Sequence, residues 1–221
     1  LCMGGLGPTE DDRTRETLAK VLGRTASPAP EQPAAEIDAR STVWARFQRE
    51  VKSLKRYYPS VTVFTGAGAS ESRLRAETPS PPLLLFSCHG EFDESNPLLS
   101  ALLLAPDGKS DGRLETHEIF GLRMEAFLVA MSACETGLGK ITTGSEVLGL
   151  TRAFMYAGTP SVVASLWKVD DKATAELMVD FYRNLKTMNK AQALKEAQVK
   201  MIKDGKTPFQ WAAFCLYGDY L

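Results

Sequence analysis

Histidine is scarce in this sequence, with 2 in 221 residues, and the 4 cysteines (Cys2, Cys88, Cys134 and Cys215) contain no CxxC pair. That spacing offers neither the usual zinc ligand sets nor a disulfide framework, so no metal is expected, and free thiols fit a reducing, cytoplasmic setting. Charge of one sign is missing as well. Lys+Arg 26 against Asp+Glu 27 leaves a formal net charge of −1, so there is no basic field to argue for direct nucleic acid binding. No apolar run is long enough to span a bilayer, and no signal-peptide pattern opens the chain, so no membrane contact is expected. What is present is 44% hydrophobic residues in a chain long enough for one sizeable core, or at most two small ones.

The apolar content gathers in short runs. Leu83 to Cys88 ends at His89-Gly90, Phe127 to Cys134 ends before Gly137 and Gly139, and Ser161 to Leu166 is a third. Continuous runs of this length predict strands buried on both faces, the habit of parallel sheets. Helical patterns alternate with them. Val147, Leu150, Phe154 and Ala157 share one face behind a Thr143–Glu146 capping box. Asp170 or Asp171 caps a helix carrying Ala173, Leu177, Phe181 and Leu185, and Asn189 starts another. Strands alternating with helices predict an α/β fold, a three-layer helix–sheet–helix sandwich with a mostly parallel central sheet.

The first third is less regular. Thr9 to Leu22 predicts a short helix with an acidic first turn, and residues 24–40 predict a loop rich in proline and alanine. A second helix follows with Trp44, Phe47, Val51, Leu54 and Tyr58 on one face. Residues 24–60 read as a loop/helix insertion within a single domain over 1–221. The opening Leu1-Cys-Met reads as the stump of a strand, and the chain as the C-terminal part of a longer polypeptide. Val61 to Thr65 is a strand that turns through Gly66-Ala-Gly-Ala-Ser70 into a short helix. Two glycines after a strand invite a nucleotide-binding reading, and the phrase is similar to the NAD-binding start of sirtuins. The third glycine of the dinucleotide fingerprint and the sirtuin zinc cysteines are absent, which favours a plain strand–turn–helix and no cofactor.

The carboxyl ends of parallel strands form the crevice where ligands bind. If the first two runs are neighbours, an imidazole and a thiol emerge together there. Cys134 is then a candidate nucleophile and His89 its general base, although a free Cys is often a small core residue and a strand-end His often structural. The N–H groups of Gly90 and Cys134 are candidate oxyanion donors. Cys88 points the other way from His89 and is expected in the core. His117 is expected to be a solvated helix-start residue. One of Asp170 and Asp171 caps a helix, and the other is a candidate for binding a basic substrate side chain. Glu135 is a candidate for the cleft wall, with a solvated or salt-bridged role as its alternative.

Several motifs belong together: Ser87-Cys-His-Gly-Glu-Phe-Asp93, Met131-Ser-Ala-Cys-Glu-Thr-Gly137, Glu146-Val-Leu-Gly-Leu150, Ala153-Phe-Met-Tyr-Ala-Gly158 and Ser161-Val-Val-Ala-Ser-Leu-Trp-Lys-Val-Asp-Asp171. Glu176-Leu-Met178, Phe181-Tyr182, Trp211-Ala-Ala-Phe214 and Gly218-Asp219 complete the set. In this order they resemble the CHAT domain, the caspase-like cysteine peptidases associated with tetratricopeptide repeats and related to separase and the gingipains. The resemblance is ordered from about Leu83 to the end and weaker before it. It implies a caspase-like fold, a Cys–His dyad at Cys134 and His89, and thiol protease (hydrolase) activity on a protein or peptide substrate through a thioester. It also implies a tetratricopeptide-repeat or sensor region upstream. The alternative is a catalytically latent interaction or signalling module. Where the family usually has Ala-Thr before His-Gly, this chain has Ser87-Cys88.

Overall fold

The computed structural model describes residues 2–4, 48–77, 80–93, 95–132, 134–135, 145–167 and 169–221. The expected helix at Thr9–Leu22, the loop at 24–40, Trp44, Phe47 and the Thr143 cap lie outside the described residues.

The strands are β1 (Cys2–Gly4), β2 (Val63–Thr65), β3 (Leu83–Phe86), β4 (His89–Glu91), β5 (Ala101–Leu103), β6 (Arg113–Glu115), β7 (Leu128–Met131), β8 (Cys134–Glu135), β9 (Ser161–Ser165) and β10 (Phe214–Gly218). The helices are α1 (residues 48–57), α2 (Glu71–Ala76), α3 (Thr116–Ile119), α4 (Ser145–Tyr156), α5 (Asp171–Asn184), α6 (Lys190–Lys203) and α7 (Pro208–Trp211). A 3-10 turn at Gly66–Gly68 leads from β2 into α2, the plain strand–turn–helix expected there.

The large sheet has the order β10-β9-β7-β3-β1-β2. Every pairing is parallel except β10 against β9. From β1 the chain goes outward to β2 and then returns to β3 on the other side of β1. The topological switch point therefore lies between β1 and β3.

Alternation along the strands divides the core into two layers. Leu84, Phe86, Val129, Met131, Val162 and Ala164 face a layer that includes Leu74, Ile119, Leu150 and Phe154 from α2, α3 and α4. Leu85, Leu128, Ala130 and Val163 face the other, with Leu54, Leu177, Phe181, Ala193 and Met201 from α1, α5 and α6. Burying a side chain of this kind stabilises the fold by about 1.5–3 kcal/mol. The helices are there because their sequences present one apolar stripe and a cap. Asp170 accepts from the Ala173 N–H at 2.9 Å to start α5, and Asn189 accepts from the Gln192 N–H at 2.9 Å to start α6.

Gly158 closes α4 at φ +117, where an added Cβ would stand 2.4 Å from the Met124 carbonyl oxygen. The close approach is functional for the fold, since the Met124 N–H donates to the Ala157 carbonyl at 2.7 Å. It turns the chain sharply from the helix into β9.

Candidate active site

A second, four-stranded sheet of order β6-β5-β4-β8 grows from the carboxyl end of the large one. In it β4 and β8 run parallel, with His89 opposite Cys134 and Gly90 opposite Glu135. This juxtaposition is inherited from the core. β3 and β7 pair from Leu83–Leu128 to Phe86–Met131, a separation of 45 residues between partners, and His89 to Cys134 has the same separation. The Ser132 N–H, donating to the Phe86 carbonyl at 2.8 Å, carries the ladder across the step. The register therefore passes unslipped from the large sheet into the small one, and the two backbones run at the usual inter-strand spacing of about 4.8 Å.

Period-two alternation sets the faces. Leu84, Phe86 and Cys88 belong to one core layer and Leu85 to the other. His89 is in phase with Leu85 and Ser87, while Cys88 is 2% exposed, in the core as expected. His89 is half-buried and Gly90 buried. A small apolar pocket lined by Phe92, Leu102, Met131, Val147, Leu150, Ala164 and Ser165 belongs to the layer of Phe86 and Cys88. Alternation separates it from His89.

The row containing His89 continues outward through Leu103 of β5 to Arg113 of β6. The Arg113 guanidinium donates to Glu91 on β4 and, at 3.4 Å, to Glu115 on its own strand. The Glu91 carboxylate is the main reason its pKa stands above the ordinary arginine value. The Arg113–Glu91 pair ties β6 to β4 across β5 and so helps to hold the strand that carries His89.

Asp170 follows β9 at the same edge, but both its oxygens are engaged: Oδ1 accepts from the Ala173 N–H at 2.9 Å and Oδ2 from Gln210 Nε2 at 3.2 Å. Burial pushes its pKa up, and the bonds from Ala173 and Gln210 outweigh that and leave it below the ordinary carboxylate value. Of the two aspartates it is the cap. Asp171 is the first residue of α5 and half-buried, and the Glu135 backbone pairs in register with Gly90. Past the end of β9, Trp167 stacks on Phe209 with ring centroids 6.0 Å apart and donates from Nε1 to the Phe209 carbonyl at 2.9 Å. His117 is 53% exposed with Nδ1 3.1 Å from Glu115, the solvated position expected. Among the described residues no group of three or more His, Cys, Asp or Glu could hold a metal.

Sequence reasoning passed over a row of hydroxyls. The registers that pair Phe86 with Met131 and Met131 with Ala164, carried one residue further, align Ser87, Ser132 and Ser165 across the three central strands. Ser87 is 5% and Ser132 1% exposed, and neither hydroxyl has a hydrogen-bond partner. A buried polar group in that state costs about 1–3 kcal/mol. The signal was present in the sequence, since a serine stands two residues before both His89 and Cys134.

The chain is similar to several known proteins. The CHAT domain family model matches residues 12–219. Tetratricopeptide repeat protein 28 from Mus musculus and the protein of the same name from Homo sapiens are each 32% identical over 109 residues. That stretch is 48% of this chain and 4% of either relative, so the chain matches a small fraction of the relatives' length. The crystal structure of the Arg specific cysteine proteinase gingipain R aligns over 99% of this chain and 45% of that chain, with a TM-score of 0.55 and 11% identity. At that identity the likeness is one of fold.

Proposed function

This chain belongs to the CHAT domain family and has its caspase-like fold, and from that premise we propose that it is a cysteine endopeptidase. The observation that carries the reading is the register pairing of His89 with Cys134 at the carboxyl edge of the sheet. In this reading His89 takes the proton of the Cys134 thiol, and the thiolate adds to the scissile carbonyl carbon of a protein substrate. The N–H groups of Gly90 and Cys134 hold the oxyanion of the tetrahedral intermediate. The intermediate collapses to a thioester as the C–N bond breaks, and His89 returns the proton to the departing amine. Water, deprotonated by His89, then hydrolyses the thioester and restores the thiol. Glu135 and Asp171 stand at the cleft wall as further substrate contacts.

The thiol chemistry fits a reducing, cytoplasmic setting, and Cys88 and Cys215 are both free. The curated relatives are tetratricopeptide repeat proteins, which supports a repeat or sensor region joined to this domain in the full-length protein. The test is covalent labelling by peptidyl acyloxymethyl ketones of wild type, Cys134→Ala and His89→Ala. Labelling of wild type that both variants lose is the expected result. Folded wild type that labels with no probe would refute catalysis and favour a domain used as an interaction module.

A further inference from the structure

Resting on the dyad proposed above, we infer that Glu91 and Arg113 line the path of the substrate beyond the scissile bond, and that Glu91 favours a basic side chain among the first three residues after the cut. The small sheet sets the order. One row of backbone partners runs from Cys134 on β8 through His89 on β4 and Leu103 on β5 to Arg113 on β6. The acyl half of the substrate stays on Cys134, while His89 hands its proton to the departing amine. The half that leaves therefore passes on the far side of His89 from Cys134, toward β5 and β6.

A charged plate lies on that path. Glu91 stands two residues past His89 in the same alternation phase, about 7 Å along β4, and Arg113 is two strand spacings away, about 10 Å. An extended substrate advances by about 3.3 Å per residue, so both lie within reach of the first few residues after the cut. The Arg113 guanidinium crosses β5 to donate to Glu91, and it also donates to Glu115 at 3.4 Å. The β5 residues opposite Glu91 and Arg113, Ala101 and Leu103, are fully buried, whereas the side chains of Glu91 and Arg113 stay 37% and 32% exposed. What the sheet presents there is charge rather than hydrocarbon. Two carboxylates against one guanidinium leave the plate negative. A lysine or arginine arriving there adds a cation beside the Glu91 carboxylate, whereas an acidic side chain meets a guanidinium that two carboxylates already share.

The experiment digests a proteome-derived peptide library with wild type, Glu91→Gln, Arg113→Gln and Cys134→Ala, and reads the cut sites by mass spectrometry. The readout is the ratio of Lys and Arg to Asp and Glu in the first three positions after the cut, corrected for library composition. In wild type at low salt it should stand about threefold to tenfold above one, and it should shrink in high salt. It should fall toward one in Glu91→Gln, which keeps an oxygen for Arg113 but drops the charge. It should rise in Arg113→Gln, which uncovers both carboxylates. A merely structural role would slow all cuts alike and leave the ratio unchanged; that result overturns the proposal and leaves the dyad standing. Enrichment of acidic residues overturns it as well and would assign recognition to Arg113. Cutting by Cys134→Ala, or none by wild type, removes the dyad and the assignment of Glu91 with it.

Discussion

Phe154→Ala tests whether the layer beneath the site holds the site in place. The Phe154 ring is 0% exposed and lies 5.4 Å from the Phe86 ring, tilted by 38°. Phe86 is the last residue of β3, and its carbonyl accepts the Ser132 N–H that carries the register toward His89 and Cys134. Removing a buried phenylalanine costs about 3–5 kcal/mol, the transfer free energy of the ring plus the cavity left behind, of which about 0.5–1.5 kcal/mol belongs to the ring pair. For a domain of this size each kcal/mol lowers the midpoint by about 2–4 °C, so a fall of about 6–20 °C is expected. Urea unfolding with an unchanged slope would measure the free energy directly. Because the cavity opens under the end of β3, labelling at Cys134 should also slow, by about tenfold to a hundredfold, at temperatures where the variant stays folded. Phe181→Ala is the control: it is equally buried, but in the other layer, away from Phe86. A loss under about 1 kcal/mol for Phe154→Ala would refute the packing argument. Equal slowing by Phe181→Ala would refute the link to the site.

Two further substitutions probe the frame. Gly158→Ala places a side chain at φ +117 with its Cβ 2.4 Å from the Met124 carbonyl oxygen, and should cost about 2 kcal/mol or more, measured by urea denaturation; a neutral result would mean that the turn into β9 is not built as described. Asp170→Ala removes the α5 cap and the Gln210 contact and should cost about 1 kcal/mol at neutral pH. The folded-state pKa of Asp170 is lowered, so its contribution is complete above the ordinary aspartate pKa and fades as the pH falls through the lower folded value. Wild type and variant should therefore converge in stability in acid, and a gap that persists to the lowest pH at which both fold would contradict the assignment.

Much of this protein is legible along the chain because its elements are local. Leu83–Phe86, Leu128–Met131 and Ser161–Ser165 are strands because a short apolar run can satisfy both faces of a buried sheet. α5 and α6 start at Asp170 and Asn189 because a side-chain oxygen there accepts an otherwise unpaired N–H. The family likeness rests on motifs that are just as local, and it carried the caspase-like fold. The tertiary structure decided what depends on distant pairing. That His89 stands opposite Cys134, and Ser87 alongside Ser132, follows from one register of 45 residues between β3–β4 and β7–β8. A slip of one residue would turn every side chain of a strand to the other face, and no local propensity records which register wins. The role of Asp170 was settled in the same way. The sequence left it level with Asp171 as cap or pocket residue, and the Ala173 N–H and the Gln210 amide took its two oxygens. Composition and periodicity determine which segments become strands and helices; the close packing of two core layers determines which of their ends meet.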